Sequence, residues 1–439
     1  MNFSRNQIII IGIVGIIVLI FILVLLGVIP GLKKQGGGGI KIGGGQQIEL
    51  YFWGVKEANP NNAIQTLIDE YAKIAPNIRI NYQEFDNVNV YEKALVDALA
   101  TFKAPDIFMM HSSWLPKHYN KVNPIPENYL SLSYFQQAFP YVAEQDFVNS
   151  SSKKIYALPL YIDTLALIYN KDLLDAKAIA VLPTTWPQFQ NIIPQLKTLN
   201  QFGQIDKSAA AIGGSEKSIH SASDFLNLLM MQFGSQIRDQ YGRINFGQEA
   251  LNALNFYLQF ATPSSPYYTW NDNFNYSLDS FAQGSTAIIF DYAAQIPLIK
   301  NKNPYLRIGI APIPQINNTS QPLSYANYWG LSVSNQSKKP DLAWNFVLYA
   351  TANPQASETY LKTTKLPPAL KTLIEKYKND PEIGIFAKQA LIARSWPQPD
   401  NNAVKQIFSN MIESILNGRL NPDQALKKAE NEINGLNAQ

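Results

Sequence analysis

The chain has 439 residues, 46% of them hydrophobic and 12% aromatic, enough for more than one large core and long enough for two domains or more. It contains no cysteine, which excludes disulfides, thiolate nucleophiles, cysteine-ligated zinc and a lipidated N-terminal cysteine. The net charge of +3 is local, because Arg5, Lys33, Lys34 and Lys41 stand in an acid-free N-terminal stretch and leave 32 basic against 33 acidic side chains beyond it; no Lys/Arg run marks a nucleic-acid footprint.

The first element is apolar. From Ile8 to Ile29, 22 residues carry no charged or polar side chain, about the length that crosses a bilayer core of ~30 Å. No small-residue cleavage site follows it, so residues 1–30 are expected to remain as a membrane anchor. The stretch "KKQGGGGIKIGGGQQ" reads as a flexible tether over 31–47. Three lysines follow the apolar run and only Arg5 and the terminal amine precede it, a count that on its own would keep the body in the cytoplasm.

The body opens with strand composition in "IELYFWG" (48–54). A helical pattern follows through Ala63, Ile64, Leu67, Ile68, Tyr71 and Ile74, stopping before Pro76. "IRINYQEF" (78–85) alternates like a half-buried strand, "VYEKALVDALATF" (90–102) is helical again, and "PDIFMMH" (105–111) is a short apolar strand. Strand–helix–strand–helix–strand in this span predicts a doubly wound parallel sheet, with a ligand beyond the C-terminal strand ends. Those ends carry Trp53, then Phe85 and Asp86, then His111 to Trp114. His111 and His118 flank a Trp-Leu-Pro break rather than one helix face, so a histidine metal site is not expected.

Next comes "YALPLYIDTLALIYNKDLL" (156–174), almost unbroken apolar and aromatic residues around one acid, Asp163. A buried, unpartnered carboxylate costs several kcal/mol, so this residue demands a reason. Period-2 alternation sets Tyr161, Asp163, Leu165, Leu167 and Tyr169 on one face. "LPTTWPQFQNIIPQLKTL" (182–199) begins a helix with a Thr cap and an early Pro. Apolar helices follow at 224–234 and 249–261. "YSLDSFAQGSTAIIFDYAAQI" (276–296) reads as helix, Gly turn and buried strand ending on Asp291. Strands at 307–314 and 325–334, a helix at 340–352 and further helices complete the chain.

The order and spacing of these motifs resemble one family, the extracellular solute-binding proteins of the sugar-binding group (family 1), components of ATP-binding-cassette importers. The resemblance runs from about Ile48 to Gly435 and is carried by "PDIF", "YALPLY…LIYNKDLL", "LPTTWPQF", "FAQGSTAIIF", "YWGLSVSNQSKKPDLAWNFVLYAT" and "NGRLNPDQALKKAENEIN". It implies an α/β, two-lobed periplasmic-binding-protein fold of the type II, maltose-binding-like kind. The lobes would be 48–159 plus about 297–350 and 160–296 plus about 351–439. Three crossings would join them, the first near Pro159, with a carbohydrate bound in the cleft by hinge closure. The implied partners are that carbohydrate and the permease subunits of an importer; no nucleic acid, cofactor, metal or catalysis is implied, and a monomer anchored with its body outside the cytoplasm is expected. This placement sets the family reading above the lysine count.

Sugar sites combine aromatic plates for C–H faces with carboxylates and amides for hydroxyls. The expected ligand contacts are Trp53, Glu57, Ser113, Trp114, Asp163, Asp291, Tyr292, Trp329 and Trp396. Trp186 and Trp344 fit packing positions, and Trp270 fits a rim or core position. Asp163 corresponds to an acid that meets sugar hydroxyls in maltodextrin-binding relatives, with a shorter side chain here. Two alternatives keep different chemistry: a surface sugar receptor of the same fold that does not feed an importer, or a carbohydrate-active enzyme using Asp163 and Asp291 as an acid/base pair.

Overall fold

A computed structural model of the chain describes residues 47–436 apart from 240, 241, 318 and 320. The expected anchor and all but the last residue of the tether lie outside the described residues; among those described, no helix is long and apolar enough to cross a membrane.

The first lobe starts with β1 (Ile48–Val55), α1 (Ala63–Ile74), β2 (Ile78–Phe85), α2 (Val88–Ala100) and β3 (Ile107–His111). β1 lies between β2 and β3, parallel to both, with Ile48 opposite Ile78 and Phe52 opposite Ile107. Leu50 and Phe52 are buried while Tyr51 between them is half-exposed, as a strand with one covered face requires. α1 buries Ala63, Ile64, Leu67, Ile68 and Tyr71 along one stripe. Asn87 caps α2 by accepting the N–H groups of Asn89 and Val90, satisfying donors that the first turn leaves unpaired. The chain continues through α3 (Leu115–His118), β4 (Val122–Asn123), α4 (Tyr141–Phe147) and β5 (Leu158–Pro159).

After β6 (Asp163–Thr164) the second lobe forms from β7 (Ala166–Asn170), β8 (Thr198–Leu199), β9 (Ile205–Ala210), α5 (Ala222–Gln232), β10 (Thr286–Asp291) and β11 (Ile308–Ala311). The helix Trp186–Leu196 carries Pro in its first turn, and the Thr185 hydroxyl accepts from the Gln188 N–H, the cap expected from sequence. The return runs through β12 (Ser324–Asn327), β13 (Trp329–Ser334), β14 (Ala393–Arg394), α6 (Asn401–Leu416) and α7 (Pro422–Leu436).

Both large sheets are mixed rather than parallel. In the first lobe β13 runs antiparallel to β3, Trp329 opposite His111, and to β5, Gly330 opposite Pro159. A Cβ on Gly330 would come within 2.7 Å of the Leu158 carbonyl and the Phe147 ring, so the close approach of these strands needs glycine there. In the second lobe the order is β11-β7-β10-β9-β8, with β7 antiparallel to both β10 and β11.

The cores show where the lobes divide. One collects residues from Leu50 to Ile162 and again from Ala326 onward; another collects Leu165 to Ile313, then Tyr325, and Trp396 to Ile433. Pro159 is therefore inside the first-lobe sheet, and the chain crosses four residues later than expected, at Asp163–Thr164. The segment after 296 also differs: Ile308–Ala311 pairs with β7 in the second lobe, whereas Tyr360, Leu366, Leu373 and Ile374 pack into the first core. Period-2 alternation identifies a strand but not the sheet edge it joins. The three crossings pair with one another as a small sheet, β14-β12-β6, with Asn327 opposite Asp163 and Tyr325 opposite Arg394.

Candidate functional site, a cleft between the lobes

A cleft of about 280 Å³ opens between the lobes. All three crossings line it, through Asp163, through Tyr325 to Asn327, and through Ser395 and Trp396. The first lobe adds Glu57, His111, Ser113 and Trp329, and the second adds His220, Asp224, Tyr292 and Lys405.

A chain of hydrogen bonds joins the lobes across this cleft. The Ser113 hydroxyl meets His111 Nδ1 at 2.8 Å, and His111 Nε2 meets Asn327 Oδ1 at 2.8 Å. Asn327 Nδ2 donates to Asp224 Oδ2 at 3.1 Å, and the Tyr292 hydroxyl donates to the same oxygen at 2.7 Å. Because Asn327 presents its oxygen to the imidazole, His111 carries its proton on Nε2 and accepts the serine hydroxyl on Nδ1. Burial lowers the His111 pKa, against the raising effects of Asn327, Glu57 and Asp224, which keeps the ring neutral. One oxygen of Asp224 is occupied twice, and among the described residues no donor meets the other. That oxygen suits a ligand hydroxyl.

The expected aromatics divide. Trp329 and Trp396 line the cleft. Trp329 Nε1 donates to Glu57 Oε1 at 2.7 Å, so Glu57 meets the cleft from a fixed position. Trp396 Nε1 donates to Asn227 Oδ1 at 3.0 Å. Trp114 instead stacks on Tyr91 with centroids 5.9 Å apart, is almost wholly buried, and does not line the cleft. Its Nε1 donates to Asn401 Oδ1 at 3.1 Å, a bond from the first lobe to the second. Trp53 rests on Phe85 at 5.3 Å, away from the cleft lining. A strand-end position brings a side chain to the right end of the sheet without deciding whether it faces the cleft or its own helices. Trp186, Trp270 and Trp344 are core residues.

Asp163 reaches the cleft lining, but its carboxylate has structural partners. Oδ1 accepts the N–H groups of Thr164 at 2.9 Å and Ala293 at 3.1 Å, and Oδ2 accepts that of Ala294 at 2.9 Å. The acid in the greasy stretch therefore satisfies the turn that follows β10. Burial pushes its pKa up to about 7, opposed by these bonds. Asp291 is buried behind the lining, where its oxygens meet His220 Nδ1 at 2.9 and 3.0 Å and accept the Tyr292 N–H. His220, not Asp291, faces the cleft. Burial disfavours the imidazolium, yet the Asp291 charge outweighs it and raises the His220 pKa.

Sequence reasoning missed His220, Asp224, Asn327 and Lys405. Asp224 reads as an acid in the first turn of an apolar helix, and Asn327 as a spacer before Trp329; both acquire their role only when distant segments meet. At the mouth the lobes touch directly. Lys117 Nζ lies 2.6 Å from Asp400 Oδ2 and 2.9 Å from Glu92 Oε1, and Asn402 Nδ2 donates to Asn89 Oδ1 at 3.0 Å.

The fold is shared with known proteins. The chain is 23% identical over 395 residues to the maltotriose-binding protein of Pyrococcus abyssi, covering 88% of this chain and 82% of that one. It is 25% identical over 298 residues to the galactooligosaccharide-binding protein of Bacillus subtilis, covering 64% and 66%. Among solved structures, the sugar-binding protein MalE of Xanthomonas citri superposes with a TM-score of 0.74 at 19% identity, covering 89% of this chain and 97% of that one. A cyclo/maltodextrin-binding protein complexed with maltotetraose does so with 0.71 at 20% identity, covering 90% and 98%. Residues 57–357, the stretch from Glu57 at the cleft through the first two crossings, match the profile of one family as a whole, and with it the chain belongs to the bacterial extracellular solute-binding proteins.

Proposed function

We propose that the chain is the substrate-binding component of an importer driven by ATP, that its ligand is an oligosaccharide, and that the two lobes close on this ligand about the β14-β12-β6 hinge. The observation that carries the reading is the composition of the cleft. Both lobes and all three crossings contribute to it, two tryptophans line it, and Asp224 and Glu57 present carboxylates from opposite sides. A ligand that touches both lobes favours the closed form through its differential affinity for it. The named ligands of the relatives support the saccharide class. Asp163 and Asp291 have their oxygens engaged by backbone N–H groups and by His220, which favours binding over acid/base chemistry for this pair.

The apolar run Ile8–Ile29 supports an anchored form, with the body on the extracytoplasmic side and a permease as its partner; the tether would hold the binding lobes near the membrane while leaving them free to turn. The test is a thermal-shift and calorimetry panel on the full chain in detergent with maltotriose, maltotetraose and a galactooligosaccharide. At a hundredfold excess over Kd, a ligand stabilises the native state by about 2.7 kcal/mol. With unfolding entropies near 2.1 cal/mol/K per residue, this is a rise in Tm of roughly 3 °C. Saturable binding of one of these sugars is expected. Absence of any shift and any heat across the panel would overturn the saccharide reading, and turnover of the sugar would overturn the binding-protein reading.

A further inference from the structure

We propose that Asp146 is a positioning residue for ligand capture, clamping the third crossing and the Trp329 strand to helix α4 so that both cleft tryptophans keep their places. The proposal rests on the saccharide reading of the cleft. Asp146 is buried, and its carboxyl accepts the Tyr328 hydroxyl at 2.7 Å and the Ser395 hydroxyl. These two donors immediately precede Trp329 and Trp396 in the chain, and both tryptophans line the cleft. The neighbouring Gln145 side chain donates to the Ser395 carbonyl at 3.3 Å, and the Arg394 guanidinium lies 4.9 Å over the Tyr141 ring. Helix α4 of the first lobe thus grips residues 394 and 395 through Tyr141, Gln145 and Asp146, at the strand that leads into the second lobe.

The carboxyl has no cation among its described partners. Tyr328 bonds it from the residue before β13, Tyr325 on β12 is near enough to feel its charge, and Arg394 stands on β14. The Arg394 guanidinium donates to the Ala393 carbonyl and covers Tyr141 instead of pairing with the acid. On α4 itself, Glu144 bonds Gln136 outside. Burial pushes Asp146 up to about 7, against the lowering effect of the Ser395 and Tyr328 hydroxyls. Hinge opening that parts Ser395 from α4 lets water reach the acid and returns its pKa toward the ordinary carboxylate range. Closure then takes up a proton between the two pKa values, so the closed form is favoured at low pH and that preference fades as pH rises through about 7.

The experiment measures the Kd for maltotriose from pH 4.5 to 8.5 on the full chain. For the wild type, Kd should rise by up to tenfold per pH unit over the middle of this range and level off above about 7.5. Asp146→Asn should flatten that slope. Ser395→Ala keeps the acid but removes a hydroxyl that lowers its pKa, so the break should move to higher pH; a merely structural residue would not shift it. Asp163→Asn is the control for the other buried acid. A flat wild-type profile, a slope that survives Asp146→Asn, or a slope abolished only by Asp163→Asn would overturn the proposal. Should maltotriose not bind, the titration is run with whichever sugar of the panel does; should none bind, the saccharide reading fails, and the ligand-free chain decides about Asp146. Spin labels on Lys93→Cys and Gln406→Cys, in a chain free of other cysteines, should move apart between pH 5 and 8 in the wild type and not in Asp146→Asn. Equal behaviour of the two would again overturn it.

Discussion

Replacing Lys117 by Met removes the ion pair that spans the mouth of the cleft. Lys117 stands on α3 of the first lobe, and Asp400 caps α6 of the second; their side chains are 33% and 29% exposed with the charges 2.6 Å apart. Fully exposed pairs contribute 0.2–1 kcal/mol, and partial shielding at this distance places the Lys117–Asp400 pair at the upper end, about 1 kcal/mol after allowance for solvent screening. Trp114–Asn401 and Asn402–Asn89 remain in the variant, so closure is weakened rather than abolished. One kcal/mol is a factor of about 5 in the closed-to-open ratio, and the Kd for maltotriose should weaken by up to that factor at low salt. Calorimetry at low and high sodium chloride reads this directly. The Debye length falls from about 10 Å at 0.1 M to 3 Å at 1 M, so the gap between variant and wild type should narrow as salt rises. Lys117 also meets Glu92, which keeps His118 Nε2 at 3.2 Å; a separate melting curve of the ligand-free chain isolates any loss within the first lobe. Equal Kd values at low salt, or a gap that persists unchanged at 1 M salt, would refute the reasoning.

Asp224→Ala should weaken oligosaccharide binding by 10- to 100-fold in titration calorimetry, the size expected for a charge-assisted bond of about 1.5–3 kcal/mol, because this carboxylate is part-exposed in the cleft lining; an unchanged Kd would remove it from the site. Trp114→Ala should lower the denaturant midpoint by the equivalent of about 3–5 kcal/mol, since the ring is 1% exposed and packs on Tyr91, His111 and Trp329; a variant as stable as wild type would contradict that burial. Asp163→Asn bears on stability against pH. The acid titrates at about 7 in the fold against an ordinary 3.8, so its contribution is fully present below about pH 4 and is lost as pH rises through 7, at up to about 1.4 kcal/mol per unit. Melting curves from pH 4 to 8 should show a shallower decline in the variant, with a constant loss because the amide NH2 that replaces one carboxylate oxygen cannot accept a backbone N–H; an unaltered slope would show that Asp163 does not titrate there.

Much of the architecture is legible in the chain. Alternation in Ile78–Phe85, helical spacing from Ala63 to Tyr71 and the Thr185 cap are local properties, and they recur in the structure. The crossing at Asp163–Thr164 is less legible, because Pro159 looks like a break but still pairs with Gly330. Asp163 shows the same limit at a single residue. Its acid was visible as an anomaly, yet the N–H groups that explain it belong to Ala293 and Ala294, 130 residues on. The polar chain of the cleft likewise joins His111 to Asn327 across 216 positions. Tryptophans were the least decidable: Trp329 and Trp114 are both buried against each other and Tyr91, and only Trp329 also borders the cleft.

A crystal structure of the chain with maltotriose tests the central claim most directly. The sugar should lie between Trp329 and Trp396, with hydroxyls on Asp224 and Glu57 and the Lys117–Asp400 contact formed at the mouth. Sugar bound to one lobe alone, or outside the cleft, would contradict capture by closure.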